Sequence, residues 1–459
     1  MELTYLIFTV EINIINVLNR FKNKSVFNIN IMISPVAFDK SYIMSNDVSV
    51  KPNINKKGYR SKKGGNYQIL RYDKEMLAYD NYIKMGVYRS LIVNLNSKKM
   101  VVFSPNKSIS ITELKSEEMD NMRAEEFVEG TMVNLFYDTE LETWDIATRS
   151  TVGGNVKFYR DSEKTFAELF EEAQVVCGLN IEDNLDKKYC YSFVLQHPEN
   201  RIVTPFDKAS LYLVGVFMCA DGEKDDIEVS GYDFTDTNNI MNLPEELQTV
   251  REYLISSTGV KFPDIYNETA HSKENYIEQY ASCNTDYKTV GVVFKSMTNP
   301  FVRYKCRNPN YEEVRRMRGN QSKGQYTYLE LRKSGKMSTY LKLYPEDSKK
   351  FGTYREQIHK FTYALYNNYV RCYIKKEKPL REWPQQYRIH MYNIHQKYIS
   401  ELVTEKRSIR LATVIDYFNE LHPSKQMALL NYNLRSNEKD TVLTNVAKII
   451  KIDENNCEL

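Results

Sequence analysis

Short apolar blocks with the period of a pleated strand dominate the first two thirds of the chain. Arg89–Leu95 and Lys99–Phe103, separated by Asn96, Ser97 and Lys98, predict a hairpin. Met132–Tyr137, Trp144–Thr148, Tyr191–Leu195, Ile202–Thr204, Leu211–Met218 and Thr289–Lys295 predict further strands. Between them, Glu163–Val176 and Leu243–Ser257 carry apolar residues at helical spacing and predict amphipathic helices. Strands and helices do not alternate regularly, so the pattern predicts an α+β domain with a mainly antiparallel sheet. Past Arg303 the period changes. Asn310–Asn320, Tyr354–Lys376, Gln386–Lys406 and Ile409–Pro423 all read as helices, and predict an all-helical C-terminal domain whose boundary falls near Arg318–Lys323. The expected organisation is an N-terminal extension and basic linker over 1–67, a sheet domain over 68–318 and a helical domain over 319–459.

Two stretches of the first 67 residues read differently from the rest. Met1–Lys24 is apolar and begins like an export signal, but Glu2 and Glu11 interrupt it and no cleavage site follows, so neither export nor membrane anchoring is expected. Asn46–Tyr67 is polar, basic and glycine-containing, and reads as a loop or linker.

Composition narrows the classes of function. A chain of 459 residues with 42% hydrophobic and 27% charged residues has enough apolar surface to fold. Its net charge of +3 gives a weak global field, so a nucleic-acid surface requires local clustering of cations. Seven cysteines without a CxxC pair argue for reduced thiols in a cytosol-like compartment, and against a zinc site or a disulfide framework. His390 and His395 stand five residues apart, about 140° around a helix axis, and so do not share a face as metal ligands would. The abundance of Tyr, Asn, Lys and Ile is that of an AT-rich genome.

The motif-like core of the sequence is Ala124–Asp138, "AEEFVEGTMVNLFYD". A covalent nucleotidyltransferase presents a lysine on a strand-to-turn KxDG, where the amine attacks the α-phosphate of ATP. Here Phe127 occupies the lysine position, followed by Glu129 and Gly130. Farther on come "TWDIATRSTVGG", "CYSFVLQHPENRIVTPF", "YKTVGVVFKS" and "NPFVRYKCRNPNY". In order and spacing these segments, over Tyr79–Tyr311, resemble the RNA ligase 1 family of T-even phages, within the superfamily of ATP-dependent RNA ligases, DNA ligases and capping enzymes.

The resemblance implies an ATP-grasp-like nucleotidyltransferase domain followed by a helical domain that helps select RNA. It places Arg89 on the family's arginine before the first strand pair, Lys107 in its lysine-containing segment, and Arg149 near the basic residue that follows the nucleophile motif. Asn200 and Arg201 fall on an Asn-Arg-Ile-Val segment, Lys295 in the strand after "VGVV", and Arg303 and Lys305 on the final basic pair. Phe127 replaces the nucleophile, Val194 an acidic residue before "NRIV", and Val290 the glutamate of the fourth motif. The lost carboxylates serve the ribose and the metal in the family.

Three readings follow from this. One is a catalytically degenerate pseudo-ligase that binds RNA or nucleotide. Another is an active ligase, dependent on ATP and Mg, that joins a 5′-phosphate to a 3′-hydroxyl through a displaced lysine such as Lys107, Lys115, Lys288 or Lys295. The third is a structural or virion-associated protein reusing the fold. The resemblance implies ATP and Mg as cofactors, none being required by a pseudoenzyme, and RNA as partner; the cysteine spacing argues against zinc and the hydropathy against a membrane. The resemblance also implies an origin in a large DNA virus, with a place in host cytoplasm or virion. Val302–Lys333 interleaves Arg and Lys with Tyr304, Tyr311, Tyr326 and Tyr328; it reads either as an RNA surface or as a solvated face over buried tyrosines. Tyr373–Trp383 is a second basic cluster.

Overall fold

The computed structural model describes residues 36–45, 53–77, 82–158, 163–223, 225–235, 243–268, 271–319, 321 and 323–434. The export-like N-terminal segment and the last residues of the chain lie outside these.

Fourteen strands are described, all paired antiparallel except β6 with β14. They are β1 (Val36–Asp39), β2 (Ile54–Arg60), β3 (Asn66–Tyr72), β4 (Leu91–Asn94), β5 (Lys99–Phe103), β6 (Ile109–Ser110) and β7 (Met122–Glu126). They continue as β8 (Thr131–Asp138), β9 (Thr143–Ala147), β10 (Tyr189–Gln196), β11 (Ser210–Asp221), β12 (Asp226–Tyr232), β13 (Gly291–Ser296) and β14 (Arg303–Arg307). They build three sheets, in the orders β1-β12-β11-β10-β8-β9, β6-β14-β13-β7 and β2-β3-β4-β5.

The large sheet is apolar on both faces, which is why β10 reads as a continuous hydrophobic run. One face packs Val133, Tyr191, Phe193 and Leu213 against helices Phe166–Cys177 and Glu245–Ser257. The other packs Phe136, Cys190 and Phe217 against Ile69, Ile92 and Phe103 of the β2–β5 sheet. The small β7-containing sheet rests on helix Lys273–Ala281 through Ala124, Val292, Phe294 and Tyr304.

The hairpin expected around Asn96–Lys98 forms, with Leu91 opposite Phe103. Asn46–Tyr67 departs from its loop reading. Residues 54–60 form an edge strand paired along its length with β3, and the lysines that suggested a linker are the charged outer strand of a sheet. Ile202–Thr204, expected as a strand, is irregular. Its backbone donors are taken by a side chain: Glu129 accepts from Val203 N–H at 2.6 Å and from Thr204 N–H at 3.1 Å.

Every described element from Pro309 to Leu430 is helical. The helices share one cluster that includes Leu329, Tyr344, Ile358, Leu365 and Phe418, and helix Pro309–Arg318 joins it through Tyr311 and Val314. Val203 and Val290 are part of the same cluster and Phe127 packs against it, so the helices sit directly on the 127–130 turn. Three of the four tyrosines of the possible base-stacking surface are core residues instead: Tyr304, Tyr311 and Tyr328 are buried, and Tyr326 is half-buried. Trp383 is buried too, with Arg371 and Lys378 over its ring. His390 and His395 hydrogen-bond to tyrosine hydroxyls, at 2.8 Å to Tyr417 and 3.3 Å to Tyr369.

Candidate functional site

The chain crosses from the small sheet to the large one between β7 and β8, through Phe127–Gly130. Gly130 makes that crossing possible. It has φ +145°, and a Cβ there would lie 2.5 Å from the Leu195 carbonyl oxygen and 2.7 Å from a Val194 methyl. Gly291, which opens β13, has the same constraint: at φ +140°, a Cβ would stand 2.1 Å from the Cys306 carbonyl. Two glycines at motif positions are therefore fixed by close backbone approach.

Period-two alternation distributes the side chains of the small sheet. Met122, Ala124, Val292, Phe294 and Tyr304 enter the core. The alternate residues face the other way: Arg123 and Glu125 on β7, Val293 and Lys295 on β13, Arg303, Lys305 and Arg307 on β14. Register sets Glu125, Val293 and Lys305 in one row and Arg123, Lys295 and Arg303 in the next.

Three of these charges, Arg123, Glu125 and Lys295, answer one another and Asp233. Lys295 Nζ lies 2.6 Å from Glu125 Oε1, and Arg123 pairs with both Glu125 and Asp233. Burial works against the Asp233 carboxylate, yet the charges of Lys295 and Arg123 prevail and hold it well below the usual carboxylate range. Lys295, a candidate nucleophile by sequence, is thus a buried ammonium locked in an ion pair.

Of the β14 cations, Arg307 is answered by Glu312 at 3.2 Å, whereas Arg303 and Lys305 are not balanced in this way. Burial, then Arg307, Arg303, Arg89 and Lys107, bring the Lys305 amine down to about 8. Among the described residues no carboxylate comes within ion-pair distance of Lys305. Burial and then Arg89 depress the Arg303 guanidinium, against the opposing pull of Glu125 and Tyr72; a guanidinium nonetheless stays charged at neutral pH. Burial leads the depression of Arg89 and Lys107 as well, and Arg149 adds to both.

The Tyr72 ring sits among these groups, with the Arg149 guanidinium 5.0 Å and the Lys107 ammonium 6.0 Å from its centroid. Arg89 donates to the Pro105 carbonyl and Arg303 to the Asn106 carbonyl at 2.9 Å, so loop carbonyls orient both. Arg89, Lys107, Arg149, Arg303 and Lys305, far apart in the sequence, are brought together.

The other expected site residues form a second group facing the helices. Phe127 is half-buried, with the Arg307 guanidinium 5.3 Å from its ring centroid. Glu129 is buried, and burial pushes its carboxyl up although the Thr204 and Val203 hydrogen bonds and Arg201 oppose it. Asn200 donates to Thr131 Oγ1 at 2.9 Å. Arg201 is fully engaged. It donates to both Glu346 carboxylate oxygens at 2.9 Å, to the carbonyls of Val203 and Leu343 at 2.8 Å, and lies over the Tyr344 ring. It joins the sheets to the helices. Lys115 and Lys288 are exposed.

The chain is similar to an RNA ligase. That relative, from Rhodothermus phage RM378, is 25% identical over 211 residues, covering 43% of this chain and 46% of its own length. The chain thus spans about half the length of the curated relative it matches. Two solved forms of an archaeal ATP-dependent RNA ligase share 10% and 11% identity with it; they cover 67% and 82% of the chain and 76% and 75% of their own, at TM-scores of 0.34 and 0.30. No model of a protein family matches the chain.

The donor set decides what the site fits. Clustered cations beside an aromatic ring suit phosphates, as an ATP tail or a nucleic-acid backbone presents them. Nothing comparable suits a protein-held divalent cation. Glu129 is committed to backbone N–H groups and Glu125 to Lys295 and Arg123, while Val194 and Val290 are hydrocarbon; among the described residues no three potential ligands converge.

Sequence reasoning overlooked Tyr72, Arg307 and Arg71, whose guanidinium is depressed by burial and then by Arg149. Arg71 and Tyr72 sit at the end of β3, beside the stretch read as a linker. Arg307 was legible: in Arg-Tyr-Lys-Cys-Arg it shares the face of Arg303 and Lys305 by simple alternation.

Proposed function

We propose that the protein is a pseudo-ligase that holds RNA through its phosphates in a ligase-like cleft and forms no lysyl-AMP. The convergence of Arg89, Lys107, Arg149, Arg303 and Lys305, with no carboxylate beside Lys305 among the described residues, carries this reading. Clustering like charges under partial burial is costly, and a polyanion relieves that cost. RNA is favoured over other polyanions by the similarity to the phage RNA ligase. Covalent chemistry is disfavoured because Phe127 supplies no nucleophile and is built into the packing against the helices. With Val194 and Val290 beside it, the turn lacks both an amine and the carboxylates that would accompany one.

Replacing Arg303 and Lys305 together by Ala tests the binding. Affinity for single-stranded RNA should fall for all sequences alike, and the dependence of log K on log salt should flatten by ~0.7 for each phosphate no longer neutralised. Unchanged affinity and slope would leave the scaffold reading in front. The covalent step is tested by incubation with α-labelled ATP and denaturing electrophoresis, where no labelled band is expected.

One observation favours a second reading, an active ligase with a displaced nucleophile. An amine near 8 is unprotonated in part at mildly alkaline pH, as a nucleophile requires, and Lys305 has that property. A labelled band in the wild type that disappears in Lys305→Arg would establish it.

A further inference from the structure

Away from the cation cluster, the helices meet the segment around Glu199 across a cavity of about 330 Å³. We propose that this cavity receives a nucleobase bearing an exocyclic amine (adenine, cytosine or guanine) from a bound RNA strand; the proposal rests on RNA being the partner of the cation cleft.

One side of the cavity is aromatic. Phe351 stacks on Tyr340 with centroids 5.3 Å apart and planes 20° apart, and half-buried Tyr354 lies 6.3 Å from Phe351. Tyr340 and Phe351 are themselves buried, Tyr340 between Tyr344 and Phe351, so the ring that offers surface to a base of any sequence is Tyr354.

The charged lining chooses among ligands. Glu199 is paired with Lys164 at 2.6 Å and Arg318 lies 3.5 Å from Glu346, which leaves Glu163 and Asp347 against Lys350. Phosphate is therefore repelled here, unlike at the cation cleft, and amine donors are favoured. Asp347 Oδ2 accepts from the Tyr340 hydroxyl at 2.6 Å, and among the described residues its Oδ1 accepts nothing. An exocyclic amine fills that need, whereas the carbonyls of uracil face an anion. The volume is at the low end of the ~300–1,000 Å³ of small-molecule sites, which admits a base with its ribose and excludes a duplex.

The test uses nucleosides, which carry no phosphate, with the full chain, monitored by saturation-transfer NMR and equilibrium dialysis. Adenosine, cytidine and guanosine should bind at least fivefold more tightly than uridine. Tyr354→Ala should weaken all four by about fivefold or more. Asp347→Asn, which keeps an acceptor for the Tyr340 hydroxyl and adds a donor, should narrow the preference or turn it toward uridine. Arg303→Ala with Lys305→Ala should leave nucleoside binding unchanged. Equal affinity for uridine, or indifference to both Tyr354→Ala and Asp347→Asn in variants with wild-type circular dichroism, overturns the base site. Selective nucleoside binding without salt-dependent RNA binding would instead remove the RNA reading of the cleft and leave this cavity as a nucleoside site.

Discussion

Lys305 carries its charge against its surroundings, so removing that charge should stabilise the fold while weakening the site. The amine lies near 8 in the folded protein, against ~10.4 in an unfolded chain. Between those values the unfolded chain binds more protons, so stability rises as pH climbs through the window. Below it both states are protonated and the full cost is present. At ~1.4 kcal/mol per pKa unit the upper bound at pH 7 is on the order of 3 kcal/mol. The side chain is only part-buried, and solvent screening lowers the working figure to about 1–2 kcal/mol. Lys305→Met keeps most of the stem and removes the charge, so it should be more stable than wild type at pH 7 by that amount. By pH 9 the advantage should shrink by up to ~0.5 kcal/mol, because the wild-type amine is by then partly neutral in the folded state. Urea unfolding followed by the fluorescence of Trp144 and Trp383 reads both quantities. Cysteines of the unfolded chain also titrate in this range, so the informative value is the difference between the two proteins at each pH. RNA affinity should move the opposite way, lower in the variant and, in the wild type, falling as pH rises through 8. A Met variant less stable than wild type at pH 7, or a difference independent of pH, refutes the proposed repulsion.

Three further substitutions probe the surroundings. Phe127→Lys should yield no adenylylated protein, since Val194 and Val290 remain, and should cost a few kcal/mol in denaturant unfolding through poorer packing against the helices; efficient ligation by this variant would show the motif positions to be misassigned. Lys295→Met should destabilise by ~2–3 kcal/mol, less than for a lone buried charge because Arg123 stays beside Glu125, with adenylylation absent before and after; unchanged stability would show the pair to be unimportant. Gly130→Ala should cost ~3 kcal/mol or more, or abolish soluble expression, because the left-handed backbone and the Leu195 carbonyl both oppose a Cβ; a neutral outcome in thermal melts would mean that the turn relaxes easily.

Strands with both faces buried, such as β10 and β11, were legible because their apolar runs have no other explanation. β2 was not, since a lysine-rich strand at the edge of a sheet has the composition of a linker, and only its pairing with Ile69 and Leu70 makes it a strand. β14 misleads for a subtler reason. Arginine and lysine interleaved with tyrosine suggest a surface that binds bases, yet alternation sends Tyr304 into the core and only the cations into the cleft. The glycines of the site were legible from the motif, and the structure adds the physical reason, the carbonyls of Leu195 and Cys306.

Which cation is available to a ligand was beyond the sequence, because that depends on carboxylates distant along the chain. Arg201 and Lys305 look alike as basic residues in motif-like segments. Arg201 is answered by Glu346, 145 residues away, and spends its donors holding the helices to the sheets. Lys305 is answered by no carboxylate among the described residues and is crowded by four cations. Lys295 resembles Lys305 in burial but faces Glu125. The same comparison separates the two cavities, since the walls around Asp347 are predominantly acidic where the cleft is cationic. A polynucleotide offers both complements at once, phosphates for Arg303 and Lys305 and bases for Tyr354 and Asp347. A small anion such as pyrophosphate satisfies only the first. Pyrophosphate should therefore compete for the cleft and leave nucleoside binding at Asp347 untouched, while RNA long enough to reach both should bind more tightly than either piece alone. Equal affinity for pyrophosphate and for RNA would reduce the cleft to an anion site and remove the reason to call its partner a nucleic acid.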